Sequence, residues 1–189
     1  MLMQRIIAAM GYIIRRDTMA KEILTDEMES AAEIDRDLME KWLTFWLDGQ
    51  LYAFPVTHVE GILSMLPITT VPEYPAYAKG VIDLRGTIVP VLDLRLRFGK
   101  KEAVYTDKTC IINCRVAEKN IGFIVDEVDA VLSISGEMIS NPPRMVEDPA
   151  KRYLTGIARV PTEEKEKIVL CLDATRVLQQ DEIECLVKE

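Results

Sequence analysis

The sequence has little of what most enzyme active sites require. His58 is its only histidine, so any mechanism built on a Ser-His-Asp triad, a Cys-His pair or a histidine-metal set would depend on this residue. No Gly-x-Gly-x-x-Gly motif opens a helix, and Gly99-Lys100 lacks the preceding glycine of a phosphate loop. These absences argue against catalysis and nucleotide binding. We expect a structural role for His58, no enzymatic activity and no cofactor.

Metal-binding patterns are also missing. The four cysteines form no Cys-x-x-Cys pair, and a single histidine does not complete a zinc set with them. The acidic stretch at residues 126–129 lacks the glycine and the terminal glutamate of a calcium loop. We therefore expect no metal site, and cysteines that are reduced and structural, as an intracellular compartment would keep them. The cysteines are Cys110, Cys114, Cys171 and Cys185.

Basic residues are not in excess, and long apolar runs are absent. Lys and Arg number 23 against 31 Asp and Glu, which gives a formal net charge of −8. Nucleic acids and anionic membranes favour clustered cations. The apolar run within residues 1–16 is bounded by Arg5 and Arg15 and is shorter than a spanning helix. We predict a cytoplasmic protein with protein partners, without nucleic acid and without direct membrane insertion.

Residues 1–41 are expected to be an N-terminal extension ahead of the folded part. Two interpretations of residues 1–18 stay open. They form a short amphipathic surface helix, or they lie upstream of the true start, with Met19 as the initiator. The second is favoured because the following segment is polar, like the leader of a soluble domain. Acidic residues dominate the stretch 25–41 and predict a loosely attached helix or a disordered arm.

What the sequence does contain is an internal repeat. Residues 56–65 align with residues 125–134, and both stretches follow an apolar strand. Downstream, residues 77–81 resemble residues 153–157, and each is followed by a strand that ends in Leu-Asp. The chain is therefore predicted to contain two copies of one unit: a hairpin, a short helical turn, a proline-containing connection and a second hairpin.

The spacing of the elements predicts the fold class. Many short strands with turn signals, and almost no long helical pattern, favour an all-β fold of two small packed barrels. The folded domain is expected over residues 42–180, with subdomains of about 42–108 and 109–180. A short C-terminal helix with a packing role is expected within residues 177–186, and residues 181–189 form the tail.

A hairpin pattern covers residues 80–99. Alternating apolar positions from Ile88 to Phe98 predict a strand along the whole second arm, and Arg85-Gly86 supplies the tight reversal. The Leu-Arg-Gly turn, the Ile-Val-Pro-Val strand and the Asp-Leu-Arg-Leu-Arg-Phe end resemble the signature of the CheW family. Members of that family are adaptors that couple chemoreceptors to a histidine kinase in bacterial chemotaxis.

The resemblance extends over about residues 42–180 and implies a more specific architecture. It implies two five-stranded, SH3-like barrels joined through exchanged strands. It also implies two partners, which are the hairpin tip of a chemoreceptor coiled coil, held in a groove between the barrels, and the regulatory domain of a CheA-type histidine kinase at the barrel ends. Such an adaptor would be cytoplasmic and associated with membrane-bound receptor arrays.

The tight turn supplies the first candidate contacts with the receptor or the kinase. The arginine that the family ties to signalling corresponds to Arg85, which Gly86 follows, and the glycine of the Lys-Gly-Val motif corresponds to Gly80. A guanidinium on a tight turn can donate several hydrogen bonds to a partner. Pairing of Arg85 within the fold, with Asp83 or Asp93, is an equal alternative.

The second arm of the hairpin supplies two more candidates. If it is a strand throughout, Asp93 and Arg95 share one face with Arg97 as a ladder of alternating charge. Exposed ion pairs contribute roughly 0–1 kcal/mol each, so such a ladder is better suited to setting the register of a partner than to holding the fold. A solvated face without a partner is the alternative.

A third group of candidates lies in the first copy of the repeat. The family pattern Val-x-Glu-Ile is matched by Val59 and Ile62, but Gly61 occupies the glutamate position and Glu60 stands beside it. On a helical turn, Val59 and Ile62 would share one face, with packing as their expected role. The displaced carboxylate puts the polar contact with a partner in doubt.

Two other functions stay open. In the first, the chain is an adaptor of the same fold that serves a non-flagellar chemosensory pathway, such as twitching motility or development. In the second, it is a small-ligand-binding or enzymatic β-barrel that uses His58 with the carboxylates of residues 126–129.

Overall fold

The computed structural model describes residues 39–141, 152–161, 166–178, 182 and 186. Strands dominate this part of the chain, interrupted by turns of helix of three or four residues. The strands are β1 (Lys41–Leu47), β2 (Gln50–Pro55), β3 (Val59–Ser64), β4 (Ala78–Leu84), β5 (Thr87–Asp93), β6 (Cys110–Val116), β7 (Lys119–Val125), β8 (Glu127–Ser133), β9 (Ile139–Ser140), β10 (Leu154–Pro161) and β11 (Glu166–Leu172). The helical turns are Leu94–Arg97, which is α-helical, and Val56–His58, Gly136–Met138 and Ala174–Arg176, which are 3-10.

The strands form two sheets. One has six strands in the order β8-β1-β2-β11-β10-β9, and the other has five in the order β3-β6-β7-β5-β4. Each sheet takes strands from both halves of the sequence. The parallel pairs β2 with β11 and β5 with β7 hold the halves together within each sheet. The all-β prediction is confirmed, and the two-residue strand β9 adds a sixth strand to one sheet.

The sequence repeat corresponds to a repeat in the topology. Strands β1 and β2 match β6 and β7, β3 matches β8, and β4 and β5 match β10 and β11, so the two sheet orders follow one plan. The second hairpin of each copy carries a register shift beside a glycine, Gly80 in one and Gly156 in the other. Both hairpins end in an aspartate that caps a helical turn, Asp93 or Asp173.

A shared core joins the two sheets. The largest cluster of buried apolar side chains contains Phe45 and Phe54 from the six-stranded sheet, and Cys114 and Phe123 from the five-stranded sheet. The rings of Phe54 and Phe123 lie 5.4 Å apart between centroids, a contact that contributes about 1 kcal/mol beyond its buried area. Each sheet also has a smaller core of its own. The shared cluster therefore fixes one sheet against the other.

The predicted helical turn after the first hairpin is wrong beyond His58. Val59 and Ile62 lie on strand β3, and the corresponding residues of the second copy lie on β8. Pairing of β3 with β6 shifts register between Val59 and Gly61. Such a bulge adds one residue, so Val59 and Ile62 both face the shared core although they are three residues apart. The bulge produced the spacing that resembled a helix.

The predicted long arm of the hairpin is also too long. Strand β5 ends at Asp93, whose carboxylate accepts a hydrogen bond from the Leu96 N–H at 3.2 Å and so caps the turn Leu94–Arg97. Leu94 and Phe98 are both buried, and their separation of four residues suits a helix as well as a strand. The ladder of alternating charge on one strand face is therefore wrong.

Several sequence predictions lie outside the described residues. These are the N-terminal extension up to residue 38, the proline-containing connection of the second copy at residues 142–149, and most of the predicted C-terminal helix and tail. Of the predicted helix at residues 177–186, Val177 and Leu178 are buried and lie in a bend, whereas Glu182 and Leu186 are helical. Among the described residues, no helix is long and apolar enough to cross a membrane.

Candidate functional site

The turn between β4 and β5 presents Arg85 to solvent. Arg85 and Gly86 both have positive φ, 56° and 85°, as a two-residue hairpin turn requires. The Asp83 carboxylate accepts a hydrogen bond from the Gly86 N–H at 2.6 Å, so it serves the turn backbone. Arg85 is exposed and makes no hydrogen bond or ion pair with any residue that the structure describes. Its guanidinium is therefore available to a partner.

Gly80 has a packing role. It is buried with φ of 138°, and a Cβ added there would lie 2.1 Å from the Thr69 carbonyl oxygen. This close approach lets Thr69 exchange two backbone hydrogen bonds of 2.9 Å with Val81. In the second copy, a Cβ on Gly156 would lie 2.2 Å from a methyl carbon of Ile139. A glycine at these positions therefore allows another segment to cross the hairpin.

Asp93 also works inside the fold. It is 1% exposed, and besides capping the following turn it accepts a hydrogen bond from the Tyr105 hydroxyl at 2.9 Å. Burial, together with the nearby Asp93 charge, raises the pKa of Tyr105 well above its usual range, so Tyr105 stays a neutral donor. The structure places Asp93 out of reach of a partner.

Arg95 joins the two sheets through a charge network. Its guanidinium makes a two-pronged contact with Asp126, at 2.7 Å from Nε and 2.6 Å from Nη2, and Nη1 donates to Asp48 at 2.9 Å. Lys100 lies 3.3 Å from Asp48, and this hydrogen bond lowers the pKa of the Asp48 carboxyl. Asp48 is in the β1–β2 turn, whereas Arg95 follows β5. The network therefore connects one sheet to the other, and the structure gives Arg95 an internal role.

The carboxylates of residues 126–129 do not converge on a site. Asp126 binds Arg95, Glu127 pairs with Lys108 at 3.1 Å, and Asp129 pairs with Lys167 at 3.2 Å. In the described part of the chain, no cluster of three or more metal-ligating side chains occurs. Each carboxylate has its own cation, so the arrangement suits neither an acid-base pair nor a metal.

His58 lies at the end of the 3-10 turn Val56–His58. Its Nδ1 atom is 3.8 Å from an Asp173 carboxylate oxygen, beyond hydrogen-bonding distance, and it has no hydrogen-bond partner among the described residues. Asp173 accepts instead from the backbone N–H and the hydroxyl of Thr175, at 2.9 and 2.6 Å. His58 precedes β3 and Asp173 follows β11, so both lie where a strand meets a helical turn. We interpret both residues as structural.

The described cysteines are poor nucleophiles. Cys110, Cys114 and Cys171 are buried and free. Burial raises the pKa of Cys110 to about 11 and that of Cys171 to about 12, and it raises the pKa of Cys114 further. A thiol must lose its proton to react, so these side chains pack rather than react. Cys185 lies outside the described residues.

Strand β3 lies at an edge of the five-stranded sheet. Val59 is buried in the shared core, whereas Glu60 is exposed, 3.8 Å from the Arg115 guanidinium. A Cβ added to Gly61 would meet nothing within 4 Å. The position at which the family has glutamate is therefore open here, and Glu60 and Gly61 remain candidate contacts on this edge.

The sequence reasoning missed an exposed apolar pair. Ile88 on β5 is 64% exposed and Ile168 on β11 is 55% exposed. Both stand at the same position of the repeat, five residues before the capping aspartates Asp93 and Asp173. The repeat alignment shows that the two positions are equivalent, but it does not show that the side chains are exposed. Ile88 pairs with Asp83 next to the Arg85 turn, so an apolar side chain and a free guanidinium share that end of the sheet.

Comparison with known proteins identifies relatives over most of the chain. A family model described as the CheW-like domain matches residues 41–182. The chemotaxis protein CheW of Klebsiella aerogenes is 30% identical over 144 residues, which cover 76% of this chain and 84% of that protein. The chemotaxis protein CheW of Bacillus subtilis is 31% identical over 150 residues, covering 79% and 94%.

A solved structure has the same fold. The scaffolding protein TtCheW from Thermoanaerobacter tengcongensis superposes with a TM-score of 0.67 at 29% sequence identity. The match covers 76% of this chain and 94% of that chain.

Proposed function

The chain belongs to the CheW family, and on this premise we propose that it is a chemotaxis adaptor that couples chemoreceptors to a CheA-type histidine kinase without catalysing a reaction. One observation carries the proposal. Arg85, at the position that the family signature ties to signalling contacts, is exposed on a tight turn and free of partners within the described residues. It lies beside the exposed Ile88.

This end of the five-stranded sheet has the chemistry of a protein-binding surface. Arginine is frequent among the residues that dominate binding energy, because its guanidinium forms several directed hydrogen bonds. An exposed isoleucine beside it offers an apolar anchor. We infer that this surface binds a partner protein, either the receptor hairpin tip or the kinase regulatory domain.

An adaptor of this kind acts through geometry. The shared core and the Arg95 network hold the two sheets as one body, so partners bound at different places keep a fixed separation. A change of receptor state then reaches the kinase as a change in its position or contacts. The protein would act in the cytoplasm, at membrane-bound receptor arrays.

Reconstitution tests the proposal. Autophosphorylation of the cognate kinase is measured with receptor-bearing membranes, with and without the purified protein. We expect the protein to raise kinase activity and to make it respond to attractant. If a folded preparation leaves both the activity and its response unchanged, the coupling role is wrong for this kinase.

Gly61 favours a second candidate, an adaptor of the same fold in a non-flagellar chemosensory pathway. Gly61 has no carboxylate where the family pattern has a glutamate, although the space for that side chain is open. A partner that relied on this carboxylate would bind this chain less well. A Gly61→Glu variant measured against the kinases of both pathways separates the candidates. Stronger binding of the variant to the flagellar kinase alone would favour the second.

A further inference from the structure

Arg97 lies at the centre of a compact cluster of side chains. Its side chain is 11% exposed. The guanidinium donates to both carboxylate oxygens of Glu182, at 2.7 and 2.6 Å, and its Nε donates to the Val177 carbonyl at 2.9 Å. The guanidinium carbon lies 4.5 Å from the Tyr77 ring centroid and 5.4 Å from that of Tyr153. Two aromatic rings therefore hold the cation that binds the carboxylate.

Two tyrosine hydroxyls complete the site. Tyr77 donates to Glu182 at 2.6 Å, and Tyr74 donates to the backbone carbonyl of Leu186 at 2.8 Å. Burial, with the Glu182 hydrogen bond, raises the pKa of Tyr77 to about 12, so it remains a donor at neutral pH. The Leu186 side chain is 6% exposed and belongs to the shared core.

Glu182 and Leu186 have the spacing of a helical recognition motif. Both are helical, and residues four apart lie on one face of a helix. The Glu182 carboxylate contacts Arg97 and Tyr77, and the Leu186 side chain packs in the shared core. A helix in a groove is recognised through side chains with this spacing.

The site lies where the two copies of the repeat meet. Tyr77 and Tyr153 are equivalent in the repeat, and so are Arg97 and Val177, each four residues after a capping aspartate. All four come together here, since Arg97 contacts the other three. The repeat alone would make the site symmetric and apolar at its centre. Arg97 breaks that symmetry and places a cation there that pairs with the Glu182 carboxylate.

We propose that Tyr74, Tyr77, Arg97 and Tyr153 form a helix-binding site, and that the segment carrying Glu182 and Leu186 is its intramolecular ligand. The ligand class is a helix with a carboxylate and an aliphatic side chain four residues later. The same segment, supplied as a separate molecule, binds the site once the attached copy is prevented from docking. This inference does not depend on the coupling function.

A labelled peptide tests the proposal on the full chain. The peptide has the sequence of residues 176–189, and its binding is followed by fluorescence anisotropy. The protein carries Glu182→Lys and Leu186→Asp, which undock the attached segment. We expect this variant to bind the peptide about tenfold more tightly than the wild type does, because in the wild type the attached segment occupies the site and competes with the peptide. Addition of Arg97→Leu should weaken that binding by about the same factor.

The controls distinguish specific binding at the site from nonspecific binding of the peptide. A peptide with Glu182→Lys should not bind the undocked variant. Equal binding of the native peptide to wild type and variant, binding to neither, or no effect of Arg97→Leu would overturn the proposal.

A second measurement applies if the undocked variant does not fold. Thermal unfolding is then measured for Arg97→Leu, for Glu182→Gln and for the two together in the full chain. We expect each single variant to lower the melting temperature and the double variant to lose less than the sum of the two losses, because both substitutions remove the same contact. A double variant that is as unstable as the sum of the single variants would contradict the proposal.

Discussion

The two sheets have the same order of equivalent strands but differ in the residues that form their turns and bulges. In the five-stranded sheet, the hairpin of β4 and β5 ends in a two-residue turn that presents Arg85. In the six-stranded sheet, the equivalent connection is longer and runs over residues 161–166. The difference shows that the repeat determines strand order and close packing, whereas the length and the residues of the connecting turns differ between the copies.

The bulges differ in the same way. In the six-stranded sheet, the Thr44 hydroxyl accepts from the Ala130 N–H at 3.1 Å and donates to the Ala130 carbonyl at 2.9 Å. In the five-stranded sheet, Asn113 takes the place of Thr44, and its buried Oδ1 has no hydrogen-bond partner among the described residues. Gly61 stands where the other sheet has Ala130. The edge strand β3 is therefore tied less firmly to its neighbour than β8 is.

The largest effect is expected at the glycines over which another segment crosses the second hairpin of each copy. Gly80→Ala should lower the free energy of unfolding by about 3 kcal/mol, since the new Cβ meets a backbone oxygen and the residue has positive φ. Gly156→Ala should cost about half as much, because the Ile139 methyl group can move, the nearest backbone oxygen is 3.0 Å away and φ is not positive there. Urea unfolding measures both. Equal costs, or a negligible cost at Gly80, would contradict the packing role.

The second largest effect is expected for the charge network between the sheets. Arg95→Ala should cost about 2 kcal/mol, because it removes the two-pronged contact with Asp126 that connects the sheets. Thr175 is its equivalent in the other copy and is exposed, so Thr175→Ala should cost less than about 1 kcal/mol. Chemical denaturation of both variants makes the comparison. A loss of partner binding in Arg95→Ala without a loss of stability would return Arg95 to the contact surface.

Exchange of the bulge residues gives a smaller effect. Thr44→Val should cost about 1–2 kcal/mol, because the N–H and carbonyl of Ala130 lose their partner. Asn113→Thr should raise stability by up to about 1 kcal/mol, because a hydroxyl there can bond the Gly61 backbone as Thr44 bonds Ala130. Thermal unfolding and amide hydrogen exchange in β3 measure the change. Destabilisation by Asn113→Thr would mean that the two bulges are not equivalent.

The turns of the first hairpins should differ in their response to acid. The hydrogen bond from Lys100 lowers the pKa of Asp48. A lowered pKa contributes stability above the unfolded-state value, and that stability is lost as the pH falls through the folded-state value. Asp48→Asn should therefore be less stable than wild type at neutral pH, and the difference should shrink below about pH 4. Ala117 occupies the equivalent position in the other copy and carries no titratable group. A difference between wild type and Asp48→Asn that stays the same at low pH would contradict the prediction.

The repeat and the alternation of apolar residues were enough to predict the strands, because one-sided burial leaves a period of two in the sequence. They were not enough near Gly61 and Asp93. A bulge and a capped turn change the period there, and both depend on contacts with distant strands. The partners of Arg95 and Arg97 are likewise distant in sequence, so the pattern of charges did not reveal them. Arg85 was identified correctly as a turn residue, because positive φ at two adjacent positions has a local signature.

The most direct test of the account compares Arg85 with Arg159, an exposed arginine on the equivalent hairpin of the other copy. Calorimetric titration with the receptor hairpin fragment and with the kinase regulatory domain is carried out on wild type, Arg85→Ala and Arg159→Ala, alongside thermal unfolding. We predict that Arg85→Ala weakens binding to at least one partner by about tenfold or more, with an unchanged melting temperature, while Arg159→Ala binds as wild type does. Wild-type affinity in Arg85→Ala, or a loss of binding that merely follows a loss of stability, would contradict the central claim.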